Sequence, residues 1–450
     1  MFWYKISFVQ TQYRITGSTA SGIAASVEDG VRDGGLAPGA ALPTVRGLAD
    51  ELGVAANTVA AAYRALRQRG VIETDGRRGT RIRPRPPAQP RTAVALPVPA
   101  GARDLADGGP AAELLPALGP YLRKIDPPRS GYGFGGPHPP LIELGRERLA
   151  ADGVPTGALT VTGGALDGIE RCLLAHVSPG DRVAVEDPGW ANLLDLVAAL
   201  GLDPVGVGVD DDGPLPADLR RALRHGARAT VVTSRAHNPT GAAVSAERAA
   251  ALRDVLADYP DTLVIEDDHA AELAGVGLHT LAGVTAYWAV VRSVSKPYGP
   301  DLRLALLAGD ETTVSRIGGR QRLGTGWVSH VLQRLVVALW EAPAVGEVVA
   351  AAAARYEALR GGLLRALADR GVPAHGRTGL NVWIPVADET TAVTALRDAG
   401  WVVAPGSRYR LQSEPAVRIT VSTLRPEEID RLADAVATAA RPGGNTGHAV

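Results

Sequence analysis

The sequence predicts two folded parts of different class: a small helical domain closed by a two-stranded hairpin, then a larger α/β domain with a mainly parallel sheet and a smaller α+β C-terminal lobe. Three observations predict this. Short apolar runs alternate with Ala/Leu/Arg-rich helical stretches over most of the chain, the pattern of strands buried on both faces. At the N-terminal end, three successive helical periodicities lead into a glycine-turned hairpin. Between the two lies RPRPPAQPRTAVALPVPAG, proline-dense and without helical period, which reads as a semi-rigid linker. The resulting boundaries are 1–83, 84–101 and 102–450.

In the first domain, Ile23, Val27 and Val31 recur at fourfold spacing in a helix from Thr19 to about Asp33. After the turn LAPGAALP, Thr44 caps a second helix whose Val45, Leu48 and Leu52 share a face, and Gly53 closes it. A third helix, from Asn57 to Arg69, turns Val59, Tyr63 and Leu66 inward and stops at Gly70. VIETDGRRGTRI then reads as two short strands around a glycine turn. Helix, helix, turn, helix and basic hairpin is the winged helix-turn-helix plan. A helical cap on an enzyme is the alternative, but it leaves the arginine-rich wing without a purpose. Residues 1–17 read as an extension upstream of a domain that begins near Ser18, with no apolar signal segment.

Composition narrows the class. At 450 residues the chain is too long for one core, and its apolar runs are broken by Gly, Asp or Arg before they reach bilayer length, so no membrane partner is expected. The single cysteine, Cys172, excludes an internal disulfide, suits a reducing cytoplasm and argues against a structural zinc site. On the apolar stretch ERCLLAHV it reads as a core residue. The formal charge is −1, yet from Arg64 to Arg91 nine arginines meet two acids, Glu73 and Asp75, a local net charge of +7. A basic stretch inside a near-neutral chain points to a polyanion partner for that part alone.

The stretch LAPGAALPTVRGLADELGVAANTVAAAYRALRQRGVIETDGRRGT resembles the N-terminal domain of GntR-type regulators. That resemblance implies operator DNA as a partner, touched by Thr44 and Arg46 at the start of the second helix, by Asn57 and Thr58 at the start of the recognition helix, and by Arg78 and Gly79 in the wing. The recognition helix reads AANTVAAAY where relatives often carry arginines, so Ala56 and Ala60 offer no fork for guanine. Specificity then falls to Arg46, Asn57, Arg64 and a wing that also holds Arg77.

In the larger domain, Thr160–Thr162, Val183–Glu186, Thr230–Ser234, Leu263–Ile265, Ala289–Ser293 and Leu304–Ala308 read as strands. The segment SVSKPYGPDLR places Lys296 after one of them, between small hydroxyl residues and a Pro/Gly turn, with Arg303 following. A lysine so placed suits a Schiff base with an aldehyde cofactor whose phosphate an arginine holds; a solvated Lys-Pro loop is the plainer reading. TVTGGALDGIE offers the N–H groups of Ala165 and Leu166 at a helix start, an anion site. VEDPGW presents Trp190 for stacking on a flat ring, or for core packing. RAHNPTG places Asn238 in a turn where it can bond a phenolic oxygen. LVIEDDHAAEL puts Asp267 at the carboxyl end of a strand, where ligands bind in open α/β sheets.

Each feature has a plain alternative, but their order along the chain resembles the fold-type I aminotransferases that use pyridoxal 5′-phosphate, over roughly residues 104 to 440. With the domain in front, the whole is similar to the MocR subfamily of GntR regulators. The resemblance implies that Lys296 bonds the cofactor aldehyde, Asp267 the pyridinium nitrogen and Asn238 the phenolic oxygen, while Trp190 stacks on the ring. Arg303, Ser293 and the Ala165 and Leu166 amides would hold the phosphate, Tyr132 would reach the phosphate of a neighbouring subunit, and Arg418 would clamp a substrate carboxylate. His269 stands where relatives carry a tyrosine to the phenolic oxygen; it can donate the same bond, but with an intrinsic pKa of about 6.5. Asp167 stands where a neutral glutamine is common and would repel phosphate unless it turns away. Asn238 is kept where many such regulators carry an aromatic, which leaves transaminase chemistry open.

The expectation is a cytoplasmic, homodimeric, cofactor-dependent transcriptional regulator that senses an amino compound or the vitamer itself. Two alternatives stand beside it: an active aminotransferase with a secondary DNA-binding domain, and a DNA-binding protein whose larger domain is a dimerisation scaffold. The tail RPGGNTGHAV reads as frayed.

Overall fold

Apolar side chains at helical spacing build the first domain around one small core. In the computed structural model, which describes residues 13–32, 35–68, 71–75, 79–83, 91, 97–126, 131–132 and 135–440, helices α1 (Ala20–Arg32), α2 (Val45–Leu52) and α3 (Ala56–Gln68) precede strands β1 (Ile72–Asp75) and β2 (Gly79–Ile82). Ile23, Val27, Leu48, Val59, Tyr63 and Leu66 are buried together with Ile72 and Ile82 from the hairpin. Thr44 caps α2 by accepting from the Gly47 N–H at 3.1 Å, and Gly53 ends it in the left-handed region at φ 65°. The two strands pair antiparallel from Ile72–Ile82 to Asp75–Gly79. One expectation needs correction. The domain begins before Ser18, because Ile15 is buried in the core and the Tyr13 hydroxyl donates to the Ser26 carbonyl at 2.7 Å. The wing arginines Arg77 and Arg78 and most of the proline-rich stretch lie outside the described residues.

The chain divides into two compact units: Met1–Ala88 with the short segments Ser178–Asp181 and Val197–Asp203, and Gln89–Val177 with Arg182–Leu196 and Pro204–Val450. In the second, an eight-stranded sheet runs in the order β4 (Ala158–Thr162), β11 (Ala305–Gly309), β10 (Tyr287–Ser293), β9 (Leu263–Asp268), β8 (Ala227–Thr233), β5 (Arg182–Asp187), β6 (Asp203–Asp210), β7 (Gly213–Pro214). β5, β8, β9 and β10 pair parallel, as their continuous Val/Ile/Ala runs require. The edges are antiparallel: β11 pairs that way with both β10 and β4, and β6 with β7. β6 and β7 went unread in the sequence because DPVGVGVD is half-polar and glycine-interrupted. Cys172 is buried in the helix Ala165–His176, as expected of a core residue.

The smaller lobe is a three-stranded sheet, β12 (Asn381–Pro385), β15 (Ala416–Thr420), β14 (Ala404–Pro405), under the helices Pro343–Ala368 and Ile429–Ala440. It is not made from the last hundred residues alone. Strand β3 (Arg103–Asp104) pairs parallel with β13 (Trp401–Val402), and Leu105 is buried in the lobe's core.

Behind the carboxyl ends of β8, β9 and β10 lies a buried ion cluster. Asp268 accepts from Arg235 Nε at 2.8 Å and Arg292 Nε at 2.7 Å, and both guanidinium groups also reach Asp152. The arginines hold the Asp268 carboxyl below its ordinary pKa against the opposing effect of burial. Removing one member of such a cluster costs about 3–5 kcal/mol. Asp268→Ala should therefore lower the unfolding free energy of the α/β domain by about that amount in urea titrations followed by tryptophan fluorescence. A loss below about 1 kcal/mol would show that Asp152 alone suffices for both arginines.

Candidate functional site

Alternation along β9 turns Asp268 into the ion cluster and Asp267 to the opposite face. Beside Asp267 lies a cavity lined by Ala165, Leu166, Trp190, Asn192, Asn238, His269, Ser293, Ser295, Lys296 and Arg303. Segments as distant in sequence as Ala165 and Arg303 thus meet at the sheet's carboxyl edge. Asp267 is buried, with Oδ2 3.1 Å from His269 Nδ1 and Oδ1 without a partner. The Trp190 ring is inclined by 30° to that of His269, with the ring centroids 6.5 Å apart.

At one end of the cavity the helix Ala165–His176 begins with no side chain capping it, leaving the amides of Ala165 and Leu166 for an anion. Gly164 has φ 107°, and a Cβ there would stand 3.3 Å from Arg303 Nη2, so glycine is needed both for the backbone and for the guanidinium's approach. Arg303 itself has φ 41°, a left-handed conformation costing an ordinary residue roughly 1–2 kcal/mol. That turn returns its side chain to the helix start. Asp167 does turn away: its carboxylate accepts from the Gly163 N–H at 2.7 Å and pairs with Arg171 at 2.9 Å. It fastens the loop that the amides depend on instead of facing the anion.

At the other end sits Lys296, in the short helix Ser295–Tyr298 that follows β10. Its Nζ donates to the Gly108 carbonyl at 3.0 Å. Burial, reinforced by the positive charge of Arg418, lowers its pKa from 10.5 to about 8, while Asp267 and Asp107 oppose the shift. Arg418, buried on β15, lies over the Tyr409 ring at 4.8 Å, donates to Asn238 Oδ1 at 3.0 Å and to the Ala106 carbonyl, and leaves Nε without a partner. With Oδ1 of Asn238 so committed, its Nδ2 is the end left to donate. The Gly189 N–H donates to the Tyr409 carbonyl at 2.7 Å, which joins the Trp190 turn to the loop under Arg418.

A planar pyridine aldehyde carrying a phosphate fits this donor set. The helix start and Arg303 suit the phosphate, the unpartnered Asp267 oxygen a protonated ring nitrogen, Trp190 the ring face and Lys296 the aldehyde. Tyr132 is elsewhere: it is 94% exposed and meets Trp327 edge-on at 6.3 Å. Sequence reasoning missed Ser295, whose Oγ is buried without a partner, although it adjoins the lysine in SVSK. It also missed Asn192, two residues after Trp190, and Gly108 and Tyr409, whose neighbours in sequence carry no signal.

In the first domain, Thr44, Arg46, Asn57, Arg64 and Gly79 are exposed, and Thr58 is partly buried. Asn57 and Arg64, seven residues apart, share the outer face of α3 opposite buried Val59, Ala62 and Leu66.

Comparison with known proteins follows this division. Residues 146–436 match the model of aminotransferase class I and II, and residues 19–82 that of bacterial regulatory proteins of the gntR family. The chain is 40% identical over 425 residues to the vitamin B6 salvage pathway transcriptional repressor PtsJ of Salmonella typhimurium, covering 93% of this chain and 98% of that one. It is 31% identical to the pyridoxine biosynthesis regulator PdxR of Corynebacterium glutamicum over 55% of this chain and 56% of that one. An archaeal alanine:glyoxylate aminotransferase structure superposes with a TM-score of 0.68 at 22% identity, covering 75% of this chain and 90% of that one. A Thermus thermophilus aspartate aminotransferase variant gives 0.66 at 23%, covering 78% and 98%. At those identities the structures share the fold.

The lowered pKa of Lys296 has a measurable consequence. Only the neutral amine attacks an aldehyde, and with a pKa of about 8 the neutral fraction rises as pH climbs through 8. Capture of pyridoxal 5′-phosphate by the protein, trapped with borohydride, should rise with a midpoint near pH 8. Arg418→Ala should move that midpoint up and Asp267→Asn should move it down. A midpoint near that of free lysine would contradict the burial of the amine.

Proposed function

The chain belongs to the class I and II aminotransferase family and carries a GntR-type DNA-binding domain ahead of it, and on that premise we propose that it is a transcriptional regulator whose larger domain senses pyridoxal 5′-phosphate, alone or with an amino compound. One observation carries the reading. Asp267 keeps a buried carboxylate oxygen without a partner beside a lysine of lowered pKa. Leaving such a group unsatisfied costs about 1–3 kcal/mol, which a dimerisation scaffold has no reason to retain. The regulators similar to this chain support the ligand class, since their names concern vitamin B6 salvage and pyridoxine biosynthesis.

When bound, the cofactor supplies an aldehyde that takes an amine and a ring that withdraws electrons. The chain's own residues do the remainder. Lys296 offers the amine, Asp267 holds a proton on the ring nitrogen, and His269 Nδ1 stays near Asp267 Oδ2, which orients that carboxylate. Asn238 donates to the phenolic oxygen through Nδ2. Ser293, Arg303 and the Ala165 and Leu166 amides hold the phosphate. Tyr132, exposed in one chain, reaches the phosphate site of a second copy in a homodimer. On the DNA side, Arg46 and the outer face of α3 with Asn57, Thr58 and Arg64 meet the major groove, while Thr44 and the wing with Arg77, Arg78 and Gly79 hold the domain on the duplex. A partner of that kind makes the cytoplasm the place of action.

Transamination of an amino acid is a second reading, and Arg418 favours it: a buried guanidinium over an aromatic ring is placed to grip a carboxylate.

Wild-type protein given the cofactor should show the visible band of a lysine-bound aldehyde, and Lys296→Ala should not. Operator footprints of wild type should differ with and without cofactor, and those of Lys296→Ala should differ much less, because a ligand shifts an equilibrium only by its differential affinity for the two states. Footprint changes of equal size in both proteins would rule out Lys296 as the sensor.

Replacing Arg77 and Arg78 by alanine should weaken binding to the upstream intergenic DNA and reduce the salt slope by roughly one unit for each phosphate no longer neutralised. Unchanged affinity and slope would remove the hairpin from the DNA interface.

A further inference from the structure

The outer face of α3 carries two polar side chains with only methyl groups between them. Asn57 and Arg64 are exposed, and Ala60 and Ala61 lie half-buried on the same side of the helix. At 3.6 residues per turn these four side chains fall within about 100° of arc, opposite buried Val59, Ala62, Tyr63 and Leu66. Ala56, exposed at the start of the helix, adds a further methyl beside Asn57.

Tyr63 fixes how that face is presented. Its ring is buried and its hydroxyl donates to the Pro43 carbonyl at 2.9 Å, which ties α3 to the turn leading into α2. The start of α2, with exposed Arg46 in its first turn, therefore meets a duplex as one body with α3. Thr44 accepts from the Gly47 N–H through Oγ1 and keeps its hydroxyl hydrogen for a phosphate.

The gntR-family match gives this domain DNA as its partner and leaves the bases open. In the major groove guanine offers two acceptors, which suit an arginine fork. Adenine offers an acceptor and a donor, which match the two ends of an asparagine amide, and thymine alone carries a methyl group. We propose that α3 selects A·T pairs: Asn57 reads an adenine through N6 and N7, and the methyl groups of Ala60 and Ala61, with that of Ala56, pack against thymine methyls. This deepens the DNA-binding reading above and rests on it. The seven residues from Asn57 to Arg64 span about 10.5 Å of helix, or roughly three base-pair steps, so the alanines cover the bases between the two polar side chains. A G·C pair in that stretch would set the cytosine amino group and the guanine oxygen against methyl groups. Polar groups left without a partner are costly, and that cost rejects the wrong pair. The absence of arginine at 56 and 60 is on this account a choice of base and not a loss of readout.

The test uses the full chain and a random-sequence duplex library, from which bound DNA is recovered over repeated rounds. Enriched sites should hold A·T pairs at roughly three adjacent positions of each half-site. Replacing thymine by uracil in an enriched duplex removes only methyl groups, and should weaken binding about fourfold for each methyl that α3 contacts. Replacing adenine by 7-deazaadenine removes the N7 acceptor and should cost about tenfold. Asn57→Ala should cost a similar factor and should bind the 7-deazaadenine duplex and its parent alike. Equal affinity for uracil and thymine duplexes, an undiminished 7-deazaadenine penalty in Asn57→Ala, or enriched sites with G·C pairs at those positions would each overturn the inference, while the enrichment itself would leave the DNA-binding reading standing. A library that yields no enriched sequence would overturn the inference together with the reading on which it rests.

Discussion

The site depends on a charge cluster that takes no part in it. Asp268 is fully buried between Arg235 and Arg292, and Asp152 closes the group from the end of the helix Pro139–Ala151. Arg235 follows β8, Asp268 ends β9 and Arg292 lies near the end of β10, so the cluster locks the carboxyl ends of three adjacent parallel strands. Burying such charges gains little net stability, since desolvation consumes most of the attraction. What it gains is position. With Asp268 held on one face, the two-residue period of the strand leaves Asp267 one orientation, toward the cavity.

Lys296 lines that cavity, and the buried Arg418 repels its positive charge. Lys296 and Arg418 are close enough for the guanidinium to help depress the lysine's pKa. Asp267 and Asp107 only partly offset this. A lysine near pH 8 is mostly charged at neutral pH yet supplies neutral amine readily, which is what capture of an aldehyde requires. The carbonyls of Ala106 and Gly108 accept from Arg418 and Lys296 and so offset part of that charge.

The order of the chemistry was legible because each part is a short local signal: a glycine pair before a helix, an aromatic after a strand, an acid at a strand end, a lysine in a turn. Lys296, Asn238, Trp190, Arg303, Ala165, Leu166, Ser293 and His269 all line one cavity for that reason. The three helices and hairpin were legible from spacing and from Thr44 and Gly53 as caps. What sequence could not give arises from tertiary contact. Tyr409 matters through its ring face under Arg418, Gly108 through a carbonyl, and Leu105 because a two-residue strand pairs with Trp401 and Val402, some 300 residues away. Ile15 joined the first core although the residues before Ser18 show no period. Asp167 read as a threat to phosphate, whereas its partners, the Gly163 amide and Arg171, make it part of the loop's support.

Buried polar atoms without partners occur elsewhere among the described residues, Trp340 Nε1 and Trp401 Nε1 for example, but three of them gather at this site. Asp267 Oδ1, Ser295 Oγ and Arg418 Nε are all buried without partners, and all belong to this one site. Natural interiors satisfy the great majority of such atoms, and each exception costs about 1–3 kcal/mol. Three in one place would be a serious liability if nothing ever met them. A ligand that does so returns that energy on binding, and it stabilises the loaded state over the free one by mass action. For a regulator this is a useful property. A ligand shifts a protein between states only by the difference in its affinity for them, and meeting these buried groups is one source of such a difference.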